Sequence, residues 1–307
     1  MHRRVYRISI ALQAAWILAA IPTSAADRSA ADKHADRWIP SWALVFGFTA
    51  QEMEGEVSSQ EVGGGPLRPS ADNEKTLISP QVGGSLELLT PELPLPLHPR
   101  LFIGGEILNV SNQKRDIAGE GDPTGVREPD DLVTFPAEAI LGLGSEVVAD
   151  LDNVLYGASV GFSIPMKIGD WQVSVKPSVR YVYREVDFTG RVVEAFRPTP
   201  LGPTRSVDLS GQDSLDTHAV GPGLEIEVEA VRIKSLAASL YVGGGAYRVL
   251  SDRRVKFSNT AVDSLGLITY QANWGAEIDA WLYRADVGFR IKWLGLPSGW
   301  LGGGSGK

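Results

Sequence analysis

The chain has no cysteine among its 307 residues, which removes disulfide cross-links, thiolate nucleophiles and cysteine-ligated zinc together. Histidine is scarce, with four in all. His2 and His34 lie near the start, His98 in a proline-rich stretch, and His218 at one end of an alternating segment. No two are spaced as ligands on one strand face, and the HExxH pattern is absent. Positive charge is also short: 29 Lys and Arg stand against 37 Asp and Glu, which argues against nucleic acid as a partner. Past the N-terminal segment no apolar run reaches the roughly 20 residues a membrane-spanning helix requires. Helical spacing is not sustained there either. No cofactor motif is found. The ending Gly302-Gly-Gly-Ser-Gly-Lys307 imitates half of a phosphate loop, but Leu301 stands where the pattern wants Gly and no Ser or Thr follows the Lys.

What is present begins with a secretory signal over residues 1–26. Arg3, Arg4 and Arg7 supply the basic region, Ile8 to Ile21 the apolar core, and Pro22-Thr-Ser-Ala-Ala a small-residue cleavage site after Ala25 or Ala26. Its removal takes three of the 29 basic residues and none of the 37 acidic ones, leaving a net charge of −11 (26 against 37). Such a charge suits a protein that crosses an aqueous compartment. Residues 27–41 form a polar lead-in, and residues 294–307 a flexible tail.

Between them, apolar and polar residues alternate with period two in eight segments. These are Trp42 to Met53, Ile78 to Leu89, Arg100 to Asn109, Asn153 to Met166, Asp170 to Phe188, Thr217 to Val231, Lys234 to Val249 and Trp281 to Trp293. In the last, Tyr283, Ala285, Val287, Phe289, Ile291 and Trp293 share one face, opposite Arg284, Asp286, Gly288, Arg290 and Lys292. The connections run long, short, long, short, long, short, long. The short ones are Thr90 to Pro99, Lys167-Ile-Gly and Arg232-Ile. That rhythm predicts an all-β, eight-stranded, antiparallel up-and-down transmembrane β-barrel over residues 42–293, with four long loops at one end and both termini at the other. Two further alternating stretches, Ala137 to Val148 and Ile268 to Ile278, leave ten strands as the alternative. Ser111 to Phe135 and Arg191 to Arg205 read as solvated loops. Calcium is conceivable in the first, which is acidic, although no EF-hand spacing supports it.

Alternation alone does not say which face is inside. The polar face is rich in Gly and Ser, as the tight interior of a small barrel requires. Aromatic residues (Trp42, Trp171, Tyr181, Tyr183, Tyr283, Trp293) sit toward the ends of the apolar face, where interfacial girdles belong. With the apolar face outward, the lumen receives the bases Lys176, Arg180, Arg184, Arg284, Arg290 and Lys292. It also receives the acids Glu87, Glu106, Glu225, Glu227, Glu229 and Asp286. Buried charges need partners, and six against six predicts an ion-paired interior.

The stretches Ile168…Val175-Lys-Pro-Ser-Val-Arg-Tyr…Glu185-Val-Asp-Phe-Thr-Gly and Gly221-Pro-Gly-Leu-Glu-Ile-Glu make the chain resemble the small eight-stranded bacterial outer-membrane barrels of the OmpA/OmpX type, within a proteobacterial subgroup. The resemblance covers nearly all of the chain past the signal. It implies a Gram-negative outer membrane, periplasmic termini, and lipid and lipopolysaccharide as surroundings. It also implies the barrel-assembly machinery and periplasmic chaperones as partners, and a monomer. It carries over no catalytic residue, cofactor or metal. The tail after Trp293 departs from the pattern, since such chains usually end on the last strand's aromatic. The expected role is structural or surface-exposed. One rival is a lipid- or lipopolysaccharide-modifying enzyme using His218, with Asp213, Ser214 and Asp216 nearby. The other is a narrow channel.

Overall fold

The computed structural model describes residues 36–62, 68–111, 114–121, 134–135, 138–151, 154–197, 205–233 and 235–294. The expected signal, most of the lead-in and the tail beyond Leu294 lie outside the described residues. Those residues hold thirteen strands: β1 (Ile39–Glu61), β2 (Arg68–Glu92), β3 (Arg100–Val110), β4 (Arg115–Gly121), β5 (Thr134–Phe135), β6 (Glu138–Leu151), β7 (Val154–Ile168), β8 (Trp171–Arg197), β9 (Arg205–Ile233), β10 (Leu236–Val249), β11 (Arg254–Val262), β12 (Thr269–Ile278) and β13 (Trp281–Trp293).

Eight of them close a ring. The ladder runs β1–β13–β10–β9–β8–β7–β3–β2 and returns from β2 to β1, antiparallel at every step. Closure leaves the ring no free edge. The strands are too long for a single layer, however. β1, β2, β8 and β9 have 23, 25, 27 and 29 residues. At about 3.3 Å per residue β9 follows a path of roughly 95 Å, against a hydrocarbon thickness of about 30 Å.

The excess builds a second storey on the first. On one edge of β1, pairing passes from β13 (Ala50↔Tyr283) to β12 (Met53↔Ile278). On one edge of β8 it passes from β7 (Tyr156↔Tyr183) to β6 (Leu151↔Val186). The upper storey thus reuses the four long strands and adds the antiparallel pairs β4–β6 and β11–β12. Side chains bridge its two remaining seams: Lys75 Nζ donates to the Asp116 carbonyl at 2.5 Å, and Asn259 Nδ2 to the Ser210 carbonyl at 2.7 Å. The two additional alternating stretches are strands, β6 and β12, but they stand above the ring, which keeps eight members. The expected loops also need correction. Ser111 to Phe135 contains β4 and β5, and Arg191 to Arg205 holds the end of β8 and the start of β9.

The polarity of the two faces reverses between the storeys. Along β1, Trp42, Phe46 and Phe48 project outward and exposed, while Ser41, Thr49 and Gln51 are buried inside. Beyond Gln51 the same parity puts Glu54 and Glu56 outside and buries Met53 and Val57 within. In β8 the outward Val179 and Tyr181 give way to Glu185 and Asp187, and the inward Lys176 and Arg180 to Val186, Phe188 and Val192. In β9 the change falls near His218, above which Asp216, Ser210 and Asp208 face out and Leu215, Leu209 and Val207 face in. The lower storey carries its apolar residues outside. The upper one has an ordinary apolar core.

The upper core closes around Trp274 of β12, which is 1 % exposed. Its indole lies against Gly190 and Gly211, paired partners on β8 and β9, where a β-carbon would collide with the ring. At the opposite end Ile39, Leu89, Phe102, Ala237 and Leu294 form a smaller apolar cluster.

Candidate functional site: the charged layer inside the barrel

Between these two apolar clusters the lower storey holds a connected set of buried charges. Lys176 is 1 % exposed and sits opposite Glu225 in the β8–β9 ladder. Its Nζ lies 2.5 Å from Glu87, 3.5 Å from Glu225 and 3.4 Å from Glu227. Arg290 pairs with Glu225, donates to Glu227 at 2.7 Å, and lies 3.6 Å from Glu87. Lys292 reaches Glu227 at 2.5 Å. Arg180 approaches Glu225 at 3.7 Å and Asp286 at 3.6 Å. Arg284 grips Glu106 with both terminal nitrogens, Nη2 donating to Oε2 at 2.9 Å, and its Nε lies 3.4 Å from Asp286. Two rings complete the lining: Lys176 stands 5.1 Å from the centre of Phe102, and Arg290 4.7 Å from that of Tyr241.

Five bases therefore face five acids. Bidentate arginine–carboxylate geometry, and more than one acceptor for every cation of the layer but Lys292, are what offset the cost of taking such groups out of water. The layer leaves little open space. A void of about 30 Å³ lies among Glu87, Glu106, Arg180, Glu225, Asp286 and Arg290, enough for a few water molecules at most.

Of the twelve charged residues that the sequence assigns to the lumen, the structure brings ten together and leaves two apart. Arg184 lies opposite Thr217, higher than the acids, and its guanidinium meets the Gln51 side-chain oxygen. Glu229 sits near the short-turn end and is held by Arg232, whose Nε donates at 2.7 Å and Nη2 at 2.8 Å. The Lys176/Arg180/Arg184 row does not oppose the Glu225/Glu227/Glu229 row member by member. Arg180 faces Gly221, and Glu227 faces Ser174. Glu87 and Glu106 complete the layer from β2 and β3. Their inward parity had assigned both to the lumen.

Among the described residues, His218 meets tyrosines through its ring. Its Nδ1 is 2.7 Å from the Tyr181 hydroxyl, and its ring lies against Tyr181 and Tyr183 with centroids 6.1 and 5.1 Å away. Asp216 accepts from the Tyr183 hydroxyl at 2.8 Å. The serine that meets His218 is Ser251, whose hydroxyl accepts from the backbone amide at 3.2 Å. Among the described residues, no group of three or more His, Asp or Glu side chains is arranged to hold a metal ion.

A closed antiparallel ring of eight strands with sequence-adjacent neighbours, apolar outside and ionic within, defines an up-and-down β-barrel. Known structures with a similar course include Ail, the attachment invasion locus protein of Yersinia pestis (8 % identity, 81 % of this chain and 97 % of that one, TM-score 0.27). The outer membrane protease OmpT of Escherichia coli is another (10 % identity, 84 % and 97 %, TM-score 0.33). So is a FadL homologue of Pseudomonas aeruginosa (9 % identity, 87 % and 94 %, TM-score 0.15). At these scores the architecture rests on this chain's own strand pairing. No family model matches the sequence, and no curated protein matches it.

Proposed function

We propose that the chain is an integral barrel of a bacterial outer membrane with a structural or surface-exposed, non-enzymatic role. The observation that carries this reading is the reversal of polarity along β1, β8 and β9. A soluble barrel has no reason to expose Phe46, Leu86, Ile103 and Val179 in one storey and to bury its apolar residues in the next. A bilayer around the lower storey supplies that reason. The height agrees as well. Tyr283 to Trp293 spans about 33 Å of strand, or about 25 Å along the barrel axis at a tilt of about 40°, the height of an outer-membrane apolar band.

In this reading the termini and short turns lie in the periplasm and the upper storey stands outside the cell. The partners are outer-membrane lipid and lipopolysaccharide, with the assembly machinery and periplasmic chaperones during biogenesis, and the barrel acts as a monomer. Its lumen is a packed layer of ion pairs. The experiment is conductance of the refolded barrel in planar bilayers. We expect no discrete current steps from the parent protein. Regular steps that shift on substitution of Lys176, Arg180 or Glu227 would establish a channel in its place.

A further inference from the structure

Arg248 stands apart from the exposed arginines that pair with acids in the upper half. Outward cations of the upper half are matched by acids: Arg191 with Asp208 at 2.7 Å, Arg254 with Glu277 at 2.5 Å, Lys256 with Glu56 at 3.4 Å, and Arg253 with Glu277 at 3.8 Å. Arg248 projects outward from the top of β10, exposed, with no side-chain partner among the described residues. The ladder fixes its surroundings. Tyr181 opposes Val220, Val220 opposes Arg248, and Arg248 opposes Trp281, so the four form one outward row across β8, β9, β10 and β13. His218 is one rung higher, bonded to the Tyr181 hydroxyl.

This row lies at the upper margin of the apolar belt, with only Leu250 exposed and apolar one rung above Arg248. Below it come Val179, Val242 and Tyr283, exposed and apolar or aromatic. Above it come Glu185 and Asp216. Asp216 is four residues up β9 from Val220, about 13 Å away at strand rise, and is bonded to Tyr183, while Asp279, two residues before Trp281, accepts from the Ala280 amide at 2.6 Å. An arginine at this height lies where headgroup phosphates begin, and its planar fork matches a phosphate with two parallel hydrogen bonds. Flanking Trp and Tyr rings hold the same depth. The apolar residues beneath favour an amphiphile over a free ion, because acyl chains complete the contact.

We propose that Arg248, flanked by Trp281 and by the Tyr181–His218 pair, binds the phosphate of an anionic lipid headgroup at the upper edge of the belt. The proposal rests on the membrane reading above, and its test separates the two. The full barrel is refolded into phosphatidylcholine vesicles carrying spin-labelled phosphatidic acid or spin-labelled phosphatidylcholine, and the motionally restricted fraction of each label is compared. The parent protein should favour the anionic lipid. Arg248→Gln should lower that preference about fivefold, the worth of one basic residue at a membrane surface. Arg248→Lys should retain part of it, and Arg254→Gln, above the belt, should leave it unchanged. Inorganic phosphate should not displace the lipid beyond the effect of chloride at equal ionic strength. An unchanged preference in Arg248→Gln overturns the proposal, as does displacement by inorganic phosphate, which would identify the free ion as ligand. A barrel that restricts neither label is not in the membrane, and then both readings fall.

Discussion

Lys176 illustrates what the interior demands of a single side chain. An ammonium group at 1 % exposure survives only because three carboxylates surround it. Lys176→Met would leave Glu87, Glu225 and Glu227 with less positive charge, and breaking a buried pair in this way costs about 3–5 kcal/mol. Urea unfolding of the refolded barrel, followed by tryptophan fluorescence, should show that loss. The double variant Lys176→Met with Glu225→Gln should recover part of it. A single variant as stable as the parent would mean that the layer is not ionised. Asp263, in the turn between β11 and β12, gives a pH-dependent counterpart. Burial pushes its carboxyl up, but the amides of Leu267 at 2.7 Å and Ile268 at 3.2 Å, with Arg205, outweigh burial and hold it below the usual aspartate value. A depressed carboxyl stabilises the turn above its ordinary titration range, and that contribution disappears as the pH falls through the lowered value. Carbon-13 titration of Asp263 should place its midpoint below that of a model aspartate. Asp263→Asn should speed hydrogen exchange at Leu267 and Ile268. The residue scale was only partly legible in the sequence. Alternation assigns Arg184 and Glu229 to the inner face, but it gives no height. Register places Arg184 among the first apolar residues of the upper storey, and a base three positions along the chain, Arg232, takes Glu229.

At the scale of the strand, β1 sets two environments on one parity. Phe46 and Glu54 both point outward, eight residues apart, one in the apolar belt and one beyond it. Phe46→Lys should cost about 2–4 kcal/mol, the penalty for a base near the middle of a bilayer on the lipid face of a barrel. Glu54→Lys should change stability by less than about 0.5 kcal/mol, as an exposed surface substitution does. Equal, small effects in chemical unfolding would contradict the assignment. The same reversal explains where the sequence reading fell short. It ended the first strand at Met53 and began the sixth at Thr217, near the points where the apolar residues change parity. The strands continue, with their pattern in opposite phase. β4 and β11 were missed because each is short and largely polar, with Ile117 and Ala118, or Val255, Phe257 and Ala261, packing into the core. Trp274 had been placed on an alternating face. Its seat on Gly190 and Gly211 depends on a packing of β12 across the storey that no local pattern encodes.

For the whole molecule, closure and charge work together. The long–short rhythm of the connections carried the ring of eight, since short turns force neighbours to pair antiparallel. The second storey was hidden because its strands lie inside what look like loops. The result is a wall with a continuous apolar belt outside, a neutralised ionic layer within, and apolar plugs above and below that layer. The lack of cysteine lets one measurement follow the belt directly. Single cysteines at the outward positions of β1 from 44 to 58, each carrying a nitroxide, can be scanned in vesicles for collision with oxygen and with a water-soluble nickel complex. Labels at 44, 46 and 48 should meet oxygen, and those from 52 onward should meet nickel, with the crossover at Ala50. Nickel access at every position would show that water surrounds the lower storey, and the account would be wrong.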